Sequence, residues 1–358
     1  MQYNLKQYGL NEWFTQEAAL YEGLDLARVT EQHREIYRVV SERGELSARV
    51  SGKFAFEAAG SADFPAVGDW VMVAAGEDSA VIHHLLRRKS VFGRRAAGTS
   101  GEAQIVAANI DVVFICMSLN ADFNLRRLER YLSVAWDSMA TPVVVLTKAD
   151  LCPDIPQKLS DLAAVSAGCD VIVCSGLAEN GCADVSCYLS EGKTVAFIGS
   201  SGVGKSTLIN QLMGRAVLAT NTVRADDDKG RHTTTHRQLL LLPQGGVVID
   251  TPGMRELQIE SGDLSKSFSD IEALAAQCRY RDCSHTSEPG CAVQAAVQDG
   301  TLDRARLENY RKLQRETGYQ GLNSRQLEQE KIKRMFGGKG EMKQIMREAK
   351  QKNRMRNQ

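Results

Sequence analysis

Net charge is missing from this 358-residue chain, in which 44 Lys and Arg balance 44 Asp and Glu. The overall balance therefore points to no nucleic-acid or membrane partner, and any such argument rests on local asymmetry. Also missing is an apolar run approaching the roughly 18 residues that a membrane span needs. The first residues, M-Q-Y-N-L-K-Q-Y-G-L-N-E-W-F, lack a basic segment followed by an apolar one. A cytosolic protein with no membrane attachment is the expectation. Internal repeats are not evident. The nine cysteines are an odd number, and without a secretory signal they argue against a disulfide framework. Six are scattered, while Cys278, Cys283 and Cys291 crowd around His285, which suggests reduced thiols and a metal site.

What is present suits two or three soluble domains: 43% hydrophobic residues can bury a core, and 25% are charged. Residues 1–34 read as a short, largely helical extension. From 35 to 92, short alternating segments, E-L-S-A-R-V-S-G-K-F-A-F (45–56) and V-G-D-W-V-M-V (67–73), have the spacing of a small antiparallel barrel. Arg87, Arg88, Lys89, Arg94 and Arg95 follow, as either a solvated linker or a nucleic-acid contact surface. From 93 to 265 the pattern becomes apolar strands at 111–117, 142–146, 171–174, 194–198 and 247–249 with helical stretches between them, such as 124–136. Near-continuous apolar strands of this kind form a parallel sheet covered on both faces. Residues 266–322 hold the cysteine cluster. The segment 323–358 is a helical or disordered tail, with eleven Lys or Arg against four Glu over 324–358, a net +7.

Gly199-Ser200-Ser201-Gly202-Val203-Gly204-Lys205-Ser206-Thr207 lies between the strand T-V-A-F-I and a helix-like run. In that context the glycines let backbone N–H groups wrap a phosphate, and the helix offers its positive end. Lys205 would reach the β- and γ-phosphates, and Ser206 offers a hydroxyl to Mg²⁺. V-V-I-D-T-P-G (247–253) ends a second strand. Asp250 there suits a water-mediated Mg²⁺ contact, and the Gly253 N–H suits the γ-phosphate. Between them, K-G-R-H-T-T-T-H (229–236) has no apolar periodicity and reads as a switch segment, with Thr234 favoured as a third Mg²⁺ ligand.

Thr147-Lys148-Ala149-Asp150 follows a third strand, about fifty residues before the phosphate loop. An Asp at that strand end can accept from the ring N–H and amino group of guanine, a pair adenine does not offer, while the Lys148 stem covers the base. Ser175, after the strand V-I-V, is a weaker candidate base contact. The guanine-reading motif thus precedes the phosphate motif, and an open parallel sheet permits this because ligands sit beyond the strands' carboxyl ends in any chain order. Separately, Cys278-x4-Cys283-x-His285-x5-Cys291 offers three thiolates and an imidazole, a set suited to one closed tetrahedral Zn²⁺ that folds a segment too small for its own core.

Taken in order, V-G-D-W-V, A-A-N-I-D (107–111), N-L-R-R-L-E-R-Y-L (124–132), T-K-A-D, G-S-S-G-V-G-K-S-T, G-R-H-T-T-T (230–235), D-T-P-G and C-x4-C-x-H-x5-C resemble the ribosome small-subunit-dependent GTPase A family, from about residue 35 to 320. The resemblance implies an oligonucleotide-binding-type β-barrel, a circularly permuted α/β GTPase domain and a C-terminal zinc-binding α domain. It also implies GTP hydrolysis to GDP, stimulated by the small ribosomal subunit and its rRNA late in maturation, by a cytoplasmic monomer. Two departures stand out. Thr147 replaces the usual Asn of the guanine motif, and Met254 occupies the place where many GTPases carry a water-orienting glutamine. Slow intrinsic hydrolysis is expected, with His232 or His236 as candidates to position the water. Two other readings are a GTP-sensing, zinc-stabilised RNA-binding module with little turnover, and an ATP-dependent phosphate-loop enzyme that ignores Asp150.

Overall fold

The computed structural model describes residues 3–33, 35–95, 103–120, 122–176, 181–218, 237–250 and 264–318. Thr234, His232, His236, Gly253, Met254 and the basic tail lie outside these residues. The described elements in chain order are α1 (Glu12–Ala18), β1 (Asp25–His33), β2 (Ile36–Ser41), β3 (Gly44–Val50), α2 (Gly52–Glu57), β4 (Trp70–Ala75), β5 (Ser79–Leu85), β6 (Val91–Arg95) and β7 (Ala103–Ala108). Then come β8 (Val112–Ser118), α3 (Leu125–Asp137), β9 (Thr141–Thr147), α4 (Ile155–Ala163), β10 (Asp170–Val173), α5 (Ala183–Ser186), β11 (Thr194–Gly199) and α6 (Lys205–Met213). Finally there are β12 (Arg237–Leu241), β13 (Val247–Asp250), α7 (Ser269–Ala275), α8 (Ala292–Gln298) and α9 (Arg304–Gly318). None of the described helices is long and apolar enough to cross a membrane.

The strands at 112–118, 141–147, 170–173, 194–199 and 247–250 are those the apolar runs predict, and β8, β11 and β9 are buried along nearly their whole length. They lie parallel in the order β10-β9-β8-β11-β13, and β12 pairs antiparallel with β13. Alternate residues feed two cores. Ile115, Leu146 and Ile198 face the side covered by α3, α4 and the C-terminal helices. Phe114, Val145 and Phe197 face the side covered by α5 and α6. The helix predicted at 124–136 forms because Asn124 caps it, accepting from Arg127 N at 3.0 Å, and because Leu128, Leu132 and Ala135 share its buried stripe.

Strands β1, β2, β3, β5 and β4 close into a five-stranded barrel through the β1–β4 pairing. Three sequence expectations change here. The barrel takes its first strand from residues 25–33, inside the stretch read as an extension, because buried Arg28 breaks the apolar alternation that would mark it. The barrel is not wholly antiparallel: β3 and β5 pair in parallel, across a connection that includes α2 and β4. K-F-A-F is helix, because Ser51 caps it by accepting from Phe54 N at 3.1 Å.

The two halves form one continuous sheet, since β1 also pairs with β12 at Glu31↔Gln238 and Gln32↔Arg237. V-G-D-W and A-A-N-I-D form the joint. Ala108 N donates to Val67 O at 3.0 Å, and Asn109 Nδ2 donates to Gly68 O at 3.1 Å while its Oδ1 accepts from Lys89 N at 2.8 Å. Arg28 pins this joint from inside. It is 1% exposed, stacks over Trp70, and donates to Tyr8 O, to Gly68 O at 3.2 Å and to Thr194 Oγ1 at 2.9 Å. Burial lowers its pKa to about 10, against the opposing pull of Asp111 and Asp69, so it stays charged at neutral pH. Of the basic run, Arg88 is structural, bound to buried Asp69 at 2.8 Å, and Arg87 lies over Trp13.

At the far end, α9 docks on α3. Fully buried Glu129 accepts from Arg306 and Arg126, each at 2.6 Å, and from Asn309; Arg306 also holds Asp270 at 2.7 Å. Phe268, Ile271 and Tyr310 join the core beneath α3, so the C-terminal helices share the central core rather than build their own.

Gly68 has φ +93, and a Cβ there would lie 2.2 Å from Ala108 O and 2.8 Å from Ile249 Cδ1. Gly68→Ala is expected to destabilise the joint by roughly 2–4 kcal/mol, combining left-handed strain with overpacking. A thermal midpoint within about a degree of wild type would contradict this role.

Candidate nucleotide and metal sites

Three strand ends meet at one edge of the parallel sheet. Strand β11 delivers the phosphate loop. Gly199 has φ +142, and a Cβ there would sit 2.3 Å from Cys116 O on β8, so only glycine lets the loop leave the sheet so close to its neighbour. Gly204, at φ +100, turns the chain into α6. Lys205 begins that helix and folds back over the loop, with Nζ donating to Gly199 O at 2.8 Å and Ser200 O at 2.6 Å. The cradle is thus formed with its cation poised above it, and Ser206 and Thr207 follow on the first turn of α6.

Strand β13 ends at Asp250, two places from β8 across β11. Burial raises the pKa of its carboxyl, and Lys205 opposes that rise.

Strand β9 ends at Thr147, which is 2% exposed. Its hydroxyl donates to the Val203 carbonyl of the phosphate loop at 2.5 Å. The Thr147 residue that departs from the family pattern therefore braces the two motifs directly. Lys148 follows in the left-handed region at φ +58, starting the short turn Ala149–Leu151. Ala149 N donates to Cys174 O at 3.2 Å, and Ser175 Oγ donates to Asp150 Oδ1 at 2.5 Å. The structure thus brings together Thr147, Lys148, Ala149, Asp150 and Ser175 on one side and residues 199–207 with Asp250 on the other.

Two contacts escaped the sequence reading. Arg127, in the first turn of α3, donates to Ser200 Oγ and Asp122 Oδ1, each at 2.5 Å. It sits within the quoted N-L-R-R-L-E-R-Y-L, where a charge in an amphipathic first turn was a usable signal. Gln211 on α6 donates from Nε2 to Gly176 O at 2.6 Å, and nothing local in the sequence distinguishes it from a solvated helix residue.

The cysteine cluster closes as its spacing predicts. Cys278 follows α7, Cys291 caps α8, and the four ligand atoms of Cys278, Cys283, His285 and Cys291 lie within 4.8 Å of one another. Cys278 Sγ lies 3.8 Å from Cys291 Sγ, and His285 Nδ1 lies 3.6 Å from each of those two sulfurs. A tetrahedron with bonds of about 2.3 Å to sulfur and about 2.0 Å to nitrogen has edges of about 3.8 and 3.5 Å. The donor set and its spacing therefore fit Zn²⁺. Burial, reinforced by Arg311, lowers the His285 pKa, which keeps the imidazole neutral and its lone pair available.

The family described as RsgA GTPase matches residues 85–260. The ABC transporter family also matches, over 182–356, a span that shares the phosphate loop with the first. The chain is 57% identical over 346 residues to the small ribosomal subunit biogenesis GTPase RsgA 2 of Lactiplantibacillus plantarum, covering 96% of this chain and 98% of that one. It is 45% identical to the protein of the same name from Vibrio parahaemolyticus, covering 93% and 90%. Among solved structures it is similar to YjeQ from Thermotoga maritima, with TM-score 0.62, 29% identity, and 82% and 98% of the two chains covered. It is also similar to YloQ, described as a circularly permuted GTPase, with TM-score 0.60, 25% identity, and 84% and 98% covered.

Because the cluster joins α7 to α8 beside the α3–α9 contact, removing a metal from it should loosen the C-terminal helices. Treatment with a strong chelator, and separately Cys283→Ala, are each expected to lower the thermal midpoint and reduce helical circular dichroism. A chelator-insensitive melt in a protein shown by elemental analysis to lose zinc would count against a folding role.

Proposed function

The chain belongs to the RsgA GTPase family, and from that premise we propose that it hydrolyses GTP to GDP and phosphate in small ribosomal subunit biogenesis, as a release or checkpoint factor late in maturation. The observation that carries the site assignment is the Thr147–Val203 hydrogen bond, which supports reading the T-K-A-D turn and the phosphate loop as one nucleotide pocket despite their reversed order.

In this reading Asp150, oriented by Ser175, accepts from the guanine ring N–H and amino group, and the Lys148 stem covers the base. The amides of residues 199–207 and the Lys205 ammonium take the β- and γ-phosphates, with the α6 N-terminus adding its positive end. Ser206, Asp250 and Thr234 would hold Mg²⁺, which supplies positive charge to the phosphate oxygens when bound. The Gly253 amide would meet the γ-phosphate. With Met254 at the position where a glutamine often stands, His232 or His236 takes the role of orienting the water, and intrinsic turnover is slow.

Cys278, Cys283, His285 and Cys291 hold one structural Zn²⁺ in this account. The barrel, the zinc-binding helices and the basic tail contribute phosphate contacts to rRNA that weaken as salt rises. A cytoplasmic monomer fits this duty.

The deciding experiment is multiple-turnover phosphate release from GTP with purified small subunits, large subunits or neither. Turnover should rise by an order of magnitude or more with small subunits only. Turnover equally slow in all three would overturn the hydrolytic role and leave a GTP-sensing RNA-binding module.

A further inference from the structure

Gln211 stands in the second turn of α6, beyond the phosphate loop and outside every motif that marks the nucleotide site. Its side chain crosses to the loop after β10, where Nε2 donates to the Gly176 carbonyl at 2.6 Å. Its Oε1 accepts from the Cys182 thiol, just before α5. Both ends of the amide are engaged, and their chemistry fixes its orientation: a carbonyl needs a donor and a thiol offers one. Gly176 also sits close to α6, since a Cβ there would lie 3.1 Å from Thr207 Cγ2. The preceding Ser175 donates to Asp150 at 2.5 Å. A chain of contacts therefore runs from the helix that follows the phosphate loop, through the Gln211 amide and the Ser175–Gly176 turn, to the Asp150 carboxylate.

We propose that Gln211 is a positioning residue that latches the Ser175–Gly176 turn and thereby sets how long guanine nucleotide stays bound. The proposal rests on the reading of Asp150 as the guanine acceptor. Without the latch, the turn no longer holds Asp150 square to the base, and the acceptor loses its second hydrogen bond, to the exocyclic amino group. Inosine nucleotides lack that amino group, so they should feel the loss less. A neutral, solvent-accessible hydrogen bond has a modest net value, and the expected change in release rate is roughly threefold to tenfold.

The test uses the full-length protein and stopped-flow release of fluorescent mant-GDP, mant-IDP and mant-ADP from wild type, Gln211→Met and Gln211→Glu. Methionine keeps the length but has no donor, and its thioether accepts only weakly. Glutamate keeps the acceptor for Cys182 and sets a carboxylate against the Gly176 carbonyl, and it carries the test should the methionine variant fail to fold. Both variants are expected to release mant-GDP roughly threefold to tenfold faster, with mant-IDP accelerated less, so that the preference for GDP over IDP falls. Release of mant-GDP at the wild-type rate, or equal acceleration of GDP and IDP, would overturn the latch. Wild type holding mant-ADP as long as mant-GDP would instead sink the guanine reading itself, whatever the variants do.

Discussion

A buried hydrogen bond from the Thr147 hydroxyl to the Val203 carbonyl is where two distant parts of the chain become one pocket. The T-K-A-D turn ends β9 and the phosphate loop ends β11, separated by β8 in the sheet and by about fifty residues in sequence. A parallel sheet points every strand's carboxyl end the same way, so chain order is immaterial to which loops converge. Convergence alone leaves loops free to drift by an ångström or more. At 2% exposure the Thr147 hydroxyl would lose hydration without replacement if unpaired, a penalty of about 1–3 kcal/mol that keeps the two loops in register.

The parts outside the pocket are fastened to it by buried charge rather than by apolar contact alone. Arg28 reaches from the barrel to Thr194, the first residue of the strand that leads into the phosphate loop. Glu129 reaches from α3 to Arg306 and Asn309 of α9, while two residues earlier Arg127 touches Ser200. Removing one partner of such a buried group strands the other, typically at a cost of about 3–5 kcal/mol, so these contacts fix domain placement firmly. The nucleotide loops thus have solid connections to both flanking units, through β11 on one side and α3 on the other. Strand β12 adds a third, since it pairs with β13 on one side and β1 of the barrel on the other.

Much of this arrangement was legible in the sequence because it is written locally. The phosphate loop, the T-K-A-D turn and the cysteine spacing each depend on residues a few positions apart, and apolar runs of the right length mark strands buried on both faces. What could not be read depends on partners far away. Arg28 sits in a strand that looks too polar to be one until its acceptors at Tyr8, Gly68 and Thr194 are in view. Arg88 reads as a solvated base but is neutralised by Asp69. K-F-A-F alternates like a strand, yet a single cap at Ser51 turns it helical. Thr147 reads as a departure from the guanine motif, and only the position of Val203 gives its hydroxyl a partner. Gln211 has no local signature at all.

Thr147 ties the T-K-A-D turn to the phosphate loop and Ser175 orients Asp150, which in the proposed function reads the guanine edge in a permuted pocket. Equilibrium binding of GDP, XDP and ADP to wild type and to Asp150→Asn tests it most directly, because an amide in place of the carboxylate complements xanthine rather than guanine. Two hydrogen bonds to a charged acceptor predict that wild type prefers GDP over ADP by about a hundredfold or more, and that Asp150→Asn loses most GDP affinity while gaining XDP. GDP binding unchanged in Asp150→Asn, or ADP bound by wild type as tightly as GDP, would contradict the account.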